Sequence, residues 1–233
     1  MTKVFPQNWS RQLATALGLS AALAACKSDL SSAGPRVAAA IIAQASTDGQ
    51  TAPAGKPIAL PVVVHVFDLN GNPVSRATVK WAVIDSAGVL GDSTSTTDAT
   101  GMSNMVWTLD TIARVDSVTA SIQSGASVTI TAIGTVGATA LELKVSGDSQ
   151  TVASSTTSQP FVVKVTDRYG NAVLGATVAW AATGGGALSA SSVMTDANGM
   201  AQVTLTLGAT PGPYTITATV GALAPVTFTL TGS

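Results

Sequence analysis

Few side chains of this sequence could do chemistry. His65 is its only histidine, Cys26 its only cysteine and Glu142 its only glutamate. A catalytic triad needs a histidine beside a nucleophile and an orienting carboxylate, and a single cysteine excludes a disulfide framework or a multi-cysteine zinc site. His65 falls on the outward face of an expected strand, and the nucleophile-elbow pattern G-x-S-x-G is absent. We therefore predict no enzyme, no catalytic residue and no cofactor.

Aspartate-rich turns raise the question of a metal site. The segment Asp68–Asn72 (DLNGN) superficially resembles the start of an EF-hand loop, which needs D-x-[DN]-x-[DN]-G and a closing Glu. Here Gly71 comes too early, Pro73 takes the place of the invariant glycine, and the closing Glu is missing. Asp, Asn and Gly are also the residues that tight turns require. We predict turns and no metal site; a weak calcium site at a domain junction is the remaining alternative.

Charge and aromatic content restrict the binding partners. The chain carries 11 Lys and Arg against 12 Asp and Glu, without a basic stripe, whereas nucleic-acid binding requires a basic surface. Glycan binding usually needs an exposed aromatic platform, but Trp81, Trp107 and Trp180 fall at inward positions. Tyr169, in the turn Asp167–Asn171, is the one aromatic residue that we expect to be exposed. No nucleic-acid partner is predicted.

The sequence after the first 36 residues is one unit written twice. Asp68–Val74 (DLNGNPV) matches Asp167–Val173 (DRYGNAV) at a shift of 99, and Thr97–Met102 matches Thr195–Met200 at a shift of 98. A period of about 100 residues is too long for a solenoid repeat and suits two tandem domains.

Within each copy, apolar residues alternate with a period of two, which is typical of half-buried strands. An opening strand is expected near Ile41–Ala45, with its counterpart at Leu141–Val145. Some seven short strands per copy, separated by Gly, Asn and Asp turns, indicate an immunoglobulin-like sandwich with a core tryptophan. The residues expected to point inward are Val62, Val64, Val66, Val79, Trp81, Val83, Met105, Trp107 and Leu109, matched by Phe161, Val163, Val165, Val178, Trp180, Val203, Leu205 and Leu207.

The order of the short patterns carries a family resemblance. The turn D-x-x-G-N-x-V, a V-x-W strand and then T-D-A-x-G-x occur twice in this order over Ile41–Ser233. This order resembles the bacterial Ig-like domains of group 1 (Big-1), which form the extracellular parts of intimin and invasin adhesins. The resemblance implies a surface protein whose domains act as stiff spacers, and it implies adhesion only weakly.

The amino terminus has the parts of a secretory signal. Lys3 and Arg11 precede the short apolar run Leu13–Leu23, which is too short to span a bilayer. The following Leu23–Cys26 (LAAC) resembles the lipobox of bacterial lipoproteins, in which the chain is cut before the cysteine and the cysteine is acylated. The resemblance implies lipidation, with palmitate or a similar chain, at Cys26. Since Lys27 is not Asp, the usual sorting rule of that family implies the outer membrane.

The predicted fold class is all-β, with two tandem immunoglobulin-like β-sandwiches after a lipoprotein signal peptide. Residues 1–25 form the signal, 26–37 the lipidated cysteine and a flexible tether, 38–135 the first domain and 139–233 the second. We expect a lipid-anchored, non-catalytic spacer or adhesion-type module on the bacterial outer membrane or cell surface. Its partners are the membrane, through acylated Cys26, and a protein or glycan at the cell surface. The alternative is a ligand-binding module that captures a peptide or glycan through a sheet edge or loop.

Overall fold

The computed structural model describes residues 36–84 and 86–233. The predicted signal peptide, Cys26 and nearly all of the predicted tether lie outside the described residues. Within the described part, all regular elements are strands except the short 3-10 helix Ala45–Thr47, and this part contains no helix long and apolar enough to cross a membrane.

The first sandwich pairs a three-stranded sheet with a five-stranded sheet. The orders are β1-β3-β7 and β2-β10-β9-β4-β6, and β5 and β8 form a separate ribbon. All pairings are antiparallel except that of β2 with β10. The strands are β1 (Ala40–Ala43), β2 (Gln50–Pro53), β3 (Val62–Phe67), β4 (Thr78–Ile84), β5 (Val89–Leu90), β6 (Thr94–Thr96), β7 (Met102–Met105), β8 (Trp107–Thr108), β9 (Val115–Ser121) and β10 (Ser127–Thr135).

The second sandwich repeats this arrangement strand for strand. Its sheets have the orders β11-β13-β17 and β12-β20-β19-β14-β16, with β15 and β18 as the ribbon. Both sandwiches belong to one unit of the structure, Val37–Ser233. The strands are β11 (Thr139–Ser146), β12 (Gln150–Val152), β13 (Phe161–Asp167), β14 (Thr177–Thr183), β15 (Ala187–Leu188), β16 (Ser192–Met194), β17 (Met200–Val203), β18 (Leu205–Thr206), β19 (Gly212–Thr219) and β20 (Val226–Gly232).

The two cores follow the predicted alternation with one exception. Trp81, Trp107 and Trp180 are buried, as are the other predicted inward residues apart from Val83. Val83 is 37% exposed, so its predicted inward burial is wrong. It pairs with buried Val118 on β9, but on its other side β6 pairs only as far as Lys80, which leaves Val83 at the open rim of the sandwich.

The structure has more strands than the roughly seven per copy that the sequence predicts. The additional ones are short: β5, β8 and their counterparts are two-residue strands, and β6 has three residues. The opening strand is also divided, because β1 pairs with β3 in one sheet while β2 pairs with β10 in the other. Alternation over two or three residues is too brief to be recognised in a sequence.

Candidate functional site

The repeated aspartate turn is held by its own side chain in the second sandwich. Asp167 Oδ1 accepts hydrogen bonds from the backbone amides of Tyr169 (2.8 Å) and Asn171 (3.0 Å). Gly170 has a φ of +89°, a conformation that glycine adopts without steric cost. These bonds confirm that the segment is a tight turn.

The same geometry occurs in the first sandwich. Asp68 Oδ1 accepts from the amides of Asn70 and Asn72, both at 2.9 Å, and Gly71 has a φ of +78°. Among the described residues, no cluster of three or more His, Cys, Asp or Glu side chains could hold a metal ion. Both turns therefore have a structural explanation in their own hydrogen bonds.

The second turn also reaches the other sandwich. Asn171 Oδ1 accepts from the Ala113 amide at 2.9 Å, and Asn171 Nδ2 donates to the Thr111 carbonyl oxygen at 2.8 Å. Thr111 and Ala113 lie in the loop between β8 and β9 of the first sandwich. The side-chain amide of Asn171 thus accepts a hydrogen bond from one backbone N–H of the first sandwich and donates one to a backbone carbonyl. This pairing has a defined geometry.

Asp167 ties the link between the sandwiches to the same turn. Its Oδ2 accepts from the Gly137 amide (3.0 Å) and from Asn171 Nδ2 (2.8 Å). Burial raises the pKa of Asp167, but hydrogen bonds from the Asn171 side chain and from three backbone amides outweigh burial and hold this pKa below its ordinary value. Asp167 is therefore a charged anchor whose hydrogen bonds hold the link and the turn together.

Tyr169 is not the exposed aromatic residue that the sequence predicts. Its side chain is half-buried and packs against Gly55 of the first sandwich, where a Cβ would lie 2.6 Å from Cζ of the tyrosine ring. The Arg168 guanidinium covers the ring, 4.4 Å from its centroid, and its Nη2 contacts the tyrosine hydroxyl. The ring fits because residue 55 has no side chain.

We call this contact region the joint: Asp167, Tyr169 and Asn171 of the second sandwich, against Gly55 and the loop 110–114 of the first. Sequence reasoning identified the turn but not its partners. Asn72 and Asn171 occupy the same place in the same D-x-x-G-N pattern, so the pattern could not show which of them bonds outside its own turn.

His65 lies where the alternation places it, on the outward side of β3. It is partly exposed, and its ring stacks on Phe67 with centroids 6.1 Å apart and an interplanar angle of 8°. The aromatic stack and the pairing of His65 with Ile42 and Met102 account for the side chain as part of a sheet surface. Cys26, the predicted lipidation site, lies outside the described residues.

The architecture defines a protein made of two immunoglobulin-like β-sandwiches. Residues 141–231 match the family model of the bacterial Ig-like domain (group 1). The second sandwich is therefore a domain of this family, which confirms the resemblance predicted for it, and the first has the same strand order.

A solved structure with a TM-score above 0.5 supports the same fold. The chain is similar to InvD of Yersinia pseudotuberculosis, with 18% identity and a TM-score of 0.53, covering 82% of this chain and 58% of that one. FdeC, an Escherichia coli adhesin, is 18% identical with a TM-score of 0.47, covering 84% and 65%. The D0-D1 domain of intimin is 20% identical with a TM-score of 0.32, covering 83% and 95%. No curated protein matches the chain.

Proposed function

We propose that the protein is a lipid-anchored, non-catalytic spacer or adhesion-type module of the bacterial cell surface. The observation that carries the spacer role is the two-way hydrogen bonding of Asn171 with the backbone at Thr111 and Ala113. A contact with a defined donor and acceptor restricts rotation between domains, whereas a bare linker would leave domain motion as the default. The group 1 Ig-like match of residues 141–231 agrees with this role.

The anchor part of the proposal depends on Cys26, the predicted lipobox cysteine. Two acyl chains give stable membrane attachment where one gives only marginal binding. Cells expressing the full chain are grown with labelled palmitate, and a Cys26→Ser variant is the control. We expect label and membrane association in the wild type and loss of both in the variant. An unlabelled wild-type chain in the soluble fraction would refute the anchor.

The spacer part is tested by the distance between two spin labels. Thr94 and Ser192 are exposed residues of β6 and β16 and can be changed to cysteine in a full chain that carries Cys26→Ser. We expect a narrow distance distribution that broadens with Asn171→Ala. The matched control is Asn72→Ala, whose side chain bonds to Asp68 of its own turn. Equal widths for all three proteins would contradict a joint that holds the domains.

The alternative, a ligand-binding module, relied partly on the Tyr169 loop. Because the ring of Tyr169 packs against Gly55 and lies under Arg168, little of it is left for a ligand. The packing of Tyr169 therefore favours a role for this turn in the joint over a role in ligand binding.

A further inference from the structure

The first strand of the second sandwich has its polar and apolar faces reversed. Leu141, Leu143 and Val145 of β11 are 44%, 49% and 47% exposed. Glu142 and Lys144 pair with Val165 and Val163, both fully buried. Paired residues on neighbouring antiparallel strands share a face of the sheet. Glu142 and Lys144 therefore lie on the core side of the strand, where apolar residues are expected, although Lys144 is exposed to solvent.

The reversal buries the carboxylate of Glu142. Both of its carboxylate oxygens are shielded from solvent. Burial raises the pKa of Glu142, and the backbone amide of Val220 opposes this only in part. In the first sandwich the equivalent position is Ile41, which pairs with Val66 and is 7% exposed. The same inward position therefore holds an apolar side chain in β1 and a carboxylate in β11.

Two bulges produce the reversal. Thr139 pairs with Asp167 but Leu141 pairs with Thr166, so Ala140 is an extra residue. Lys144 pairs with Val163 but Ser146 pairs with Val162, so Val145 is a second extra residue. A one-residue change of register moves every side chain to the other face of a sheet, and a bulge is where such a change can be absorbed.

Pairing that continued from Thr139 and Asp167 without bulges would give a regular strand. Leu141, Leu143 and Val145 would then face Val165, Val163 and Phe161 on the core side. Glu142 would stand opposite Lys164 on the outer face, and opposite charges directly across two strands attract each other. The end of the strand that adjoins the joint would be unchanged, because Thr139 pairs with Asp167 in both arrangements.

We propose that β11 is a two-register strand, which exchanges between the bulged pairing of the structure and this regular pairing slipped by one residue. The exchange replaces an outer stripe of Leu141, Leu143 and Val145 with one that carries Glu142 and Lys144. The bulged register is held by Lys144, whose Nζ lies 2.5 Å from Asp148 Oδ2 and 5.1 Å from the centroid of the Phe228 ring. The slipped register gains apolar burial and loses these contacts.

Disulfide trapping distinguishes the two registers. In a full chain with Cys26→Ser, the pair Lys144→Cys and Val163→Cys reports the bulged register, and the pair Leu143→Cys and Val163→Cys reports the slipped one. The matched control is Ile42→Cys with Val64→Cys, the equivalent offset pair in the first sandwich, where β1 pairs with β3 without bulges.

We expect the Lys144 pair to oxidise at once and the Leu143 pair more slowly, as a minor state populated at roughly 0.1–10% would allow. The Leu143 pair should still oxidise about tenfold faster than the Ile42 control. Its rate follows the population of the slipped register, and β1 in the first sandwich has no such register. Equal rates for the Leu143 and Ile42 pairs would overturn the proposal.

Local fraying of the edge could also expose the cysteines, so a second variant is needed. Adding Glu142→Leu places an apolar side chain at the inward position of the bulged register and should slow the Leu143 reaction at least about fivefold, because it shifts the population between registers. An unchanged rate would mean fraying and would refute the slip. If the cysteine variants do not fold, saturation-transfer NMR on the otherwise unchanged chain provides the readout. We expect exchange at the amides of 140–146 that Glu142→Leu removes, and its absence in the parent chain overturns the proposal.

Discussion

The buried tryptophans of the two sandwiches have different polar surroundings. Trp81 Nε1 donates to Ser95 Oγ at 2.7 Å, and Ser95 Oγ lies 2.5 Å from Ser103 Oγ. In the second sandwich the equivalent positions are Val193 and Ala201, and Trp180 Nε1 is buried without a hydrogen-bond partner among the described residues. The shared strand order positions the tryptophan ring in both sandwiches. The side chains that could hydrogen-bond to its N–H lie on neighbouring strands, whose residues differ between the two sandwiches.

The loop before β9 and β19 differs more strongly. In the first sandwich Asp116 is 1% exposed; its Oδ2 accepts from the Asp110 amide at 2.8 Å, and its Oδ1 lies 3.3 Å from Arg114 Nε. The equivalent residue of the second sandwich is Tyr214, 2% exposed, whose hydroxyl donates to the Thr210 carbonyl oxygen at 3.0 Å. The second loop is closed like the tyrosine corner of immunoglobulin folds, and the first by an ionic network.

This difference follows the joint. The first loop must present the Ala113 amide to Asn171, and Gly55 must leave room for Tyr169. At the equivalent positions the second sandwich has Pro211 and Ser155. Proline has no backbone N–H, and serine carries a Cβ where the tyrosine ring would lie. The second loop therefore cannot form the same joint, and its residues are free to specialise for closing their own core.

The largest expected effect is at the ionic network. Asp116→Ala removes the acceptor of the Asp110 amide and leaves Arg114 without this buried carboxylate, so we expect a loss of about 3 kcal/mol in the free energy of unfolding of the first sandwich. Denaturant unfolding of the full chain, followed by tryptophan fluorescence, measures this loss. The control Asp92→Ala removes an exposed carboxylate and should cost less than about 1 kcal/mol. Equal losses for the two variants would show that the network does not stabilise the domain.

The joint is broken most directly at Gly55. This glycine has a φ of +72°, and Gly49 has a φ of +69° with no atom within 4 Å of a Cβ placed there. Gly49→Ala therefore measures backbone strain alone, and Gly55→Ala adds the collision with Tyr169. We expect Gly55→Ala to cost about 2 kcal/mol more, the usual size of an overpacking effect, measured by thermal unfolding.

The collision has its own control. Combining Gly55→Ala with Tyr169→Ala should recover most of the additional loss, because the small side chain removes the atoms that the new Cβ meets. If Gly55→Ala and Gly49→Ala have the same effect, Tyr169 does not pack at the joint as the structure has it.

Sequence patterns predicted the repeated frame well, because it depends on local rules. Alternation identified the buried faces of β3 and β13, and the D-x-x-G-N turns are encoded within five residues. The joint could not be predicted, since Asn72 and Asn171 occupy the same place in the D-x-x-G-N pattern, and the pattern does not show what lies across from each of them. The faces of β11 were not predicted for another reason: two bulges decide which of its residues face outward, and the local sequence pattern does not show them.

Glu142 offers a smaller, pH-dependent effect. A carboxyl whose pKa is raised on folding stabilises the fold below its unfolded pKa, about 4.3 for glutamate, and this contribution is lost as the pH rises through the folded value. At neutral pH we expect Glu142→Gln to be more stable than the wild type by up to about 1 kcal/mol, allowing for solvent screening. The advantage should vanish as the pH falls below about 4.3.

The charged neighbours of Glu142 do not obscure this test. Lys144 follows on the same face of β11 and pairs with Asp148, and the hydrogen bond from Lys144 lowers the pKa of Asp148 to about 2. Asp148 therefore stays ionised over the range in which Glu142 titrates, and it is present in both proteins. Denaturant unfolding at several pH values gives the difference curve, and a flat curve would contradict a buried carboxylate.

The smallest expected effect is at the tyrosine that replaces the ionic network. Tyr214→Phe keeps the buried ring and removes one hydrogen bond to Thr210, so we expect a loss of about 0.5 kcal/mol in the stability of the second sandwich. Thr210 is exposed, and water can reach its carbonyl oxygen once the hydroxyl is gone. Tyr169→Phe is the matched control, because its hydroxyl contacts the exposed Arg168 side chain and its loss should change stability little. A loss for Tyr214→Phe as large as that for Asp116→Ala would mean that the two loops are closed with equal strength. The ionic network of the first loop and the neutral tyrosine corner of the second would then not differ in what they contribute to stability.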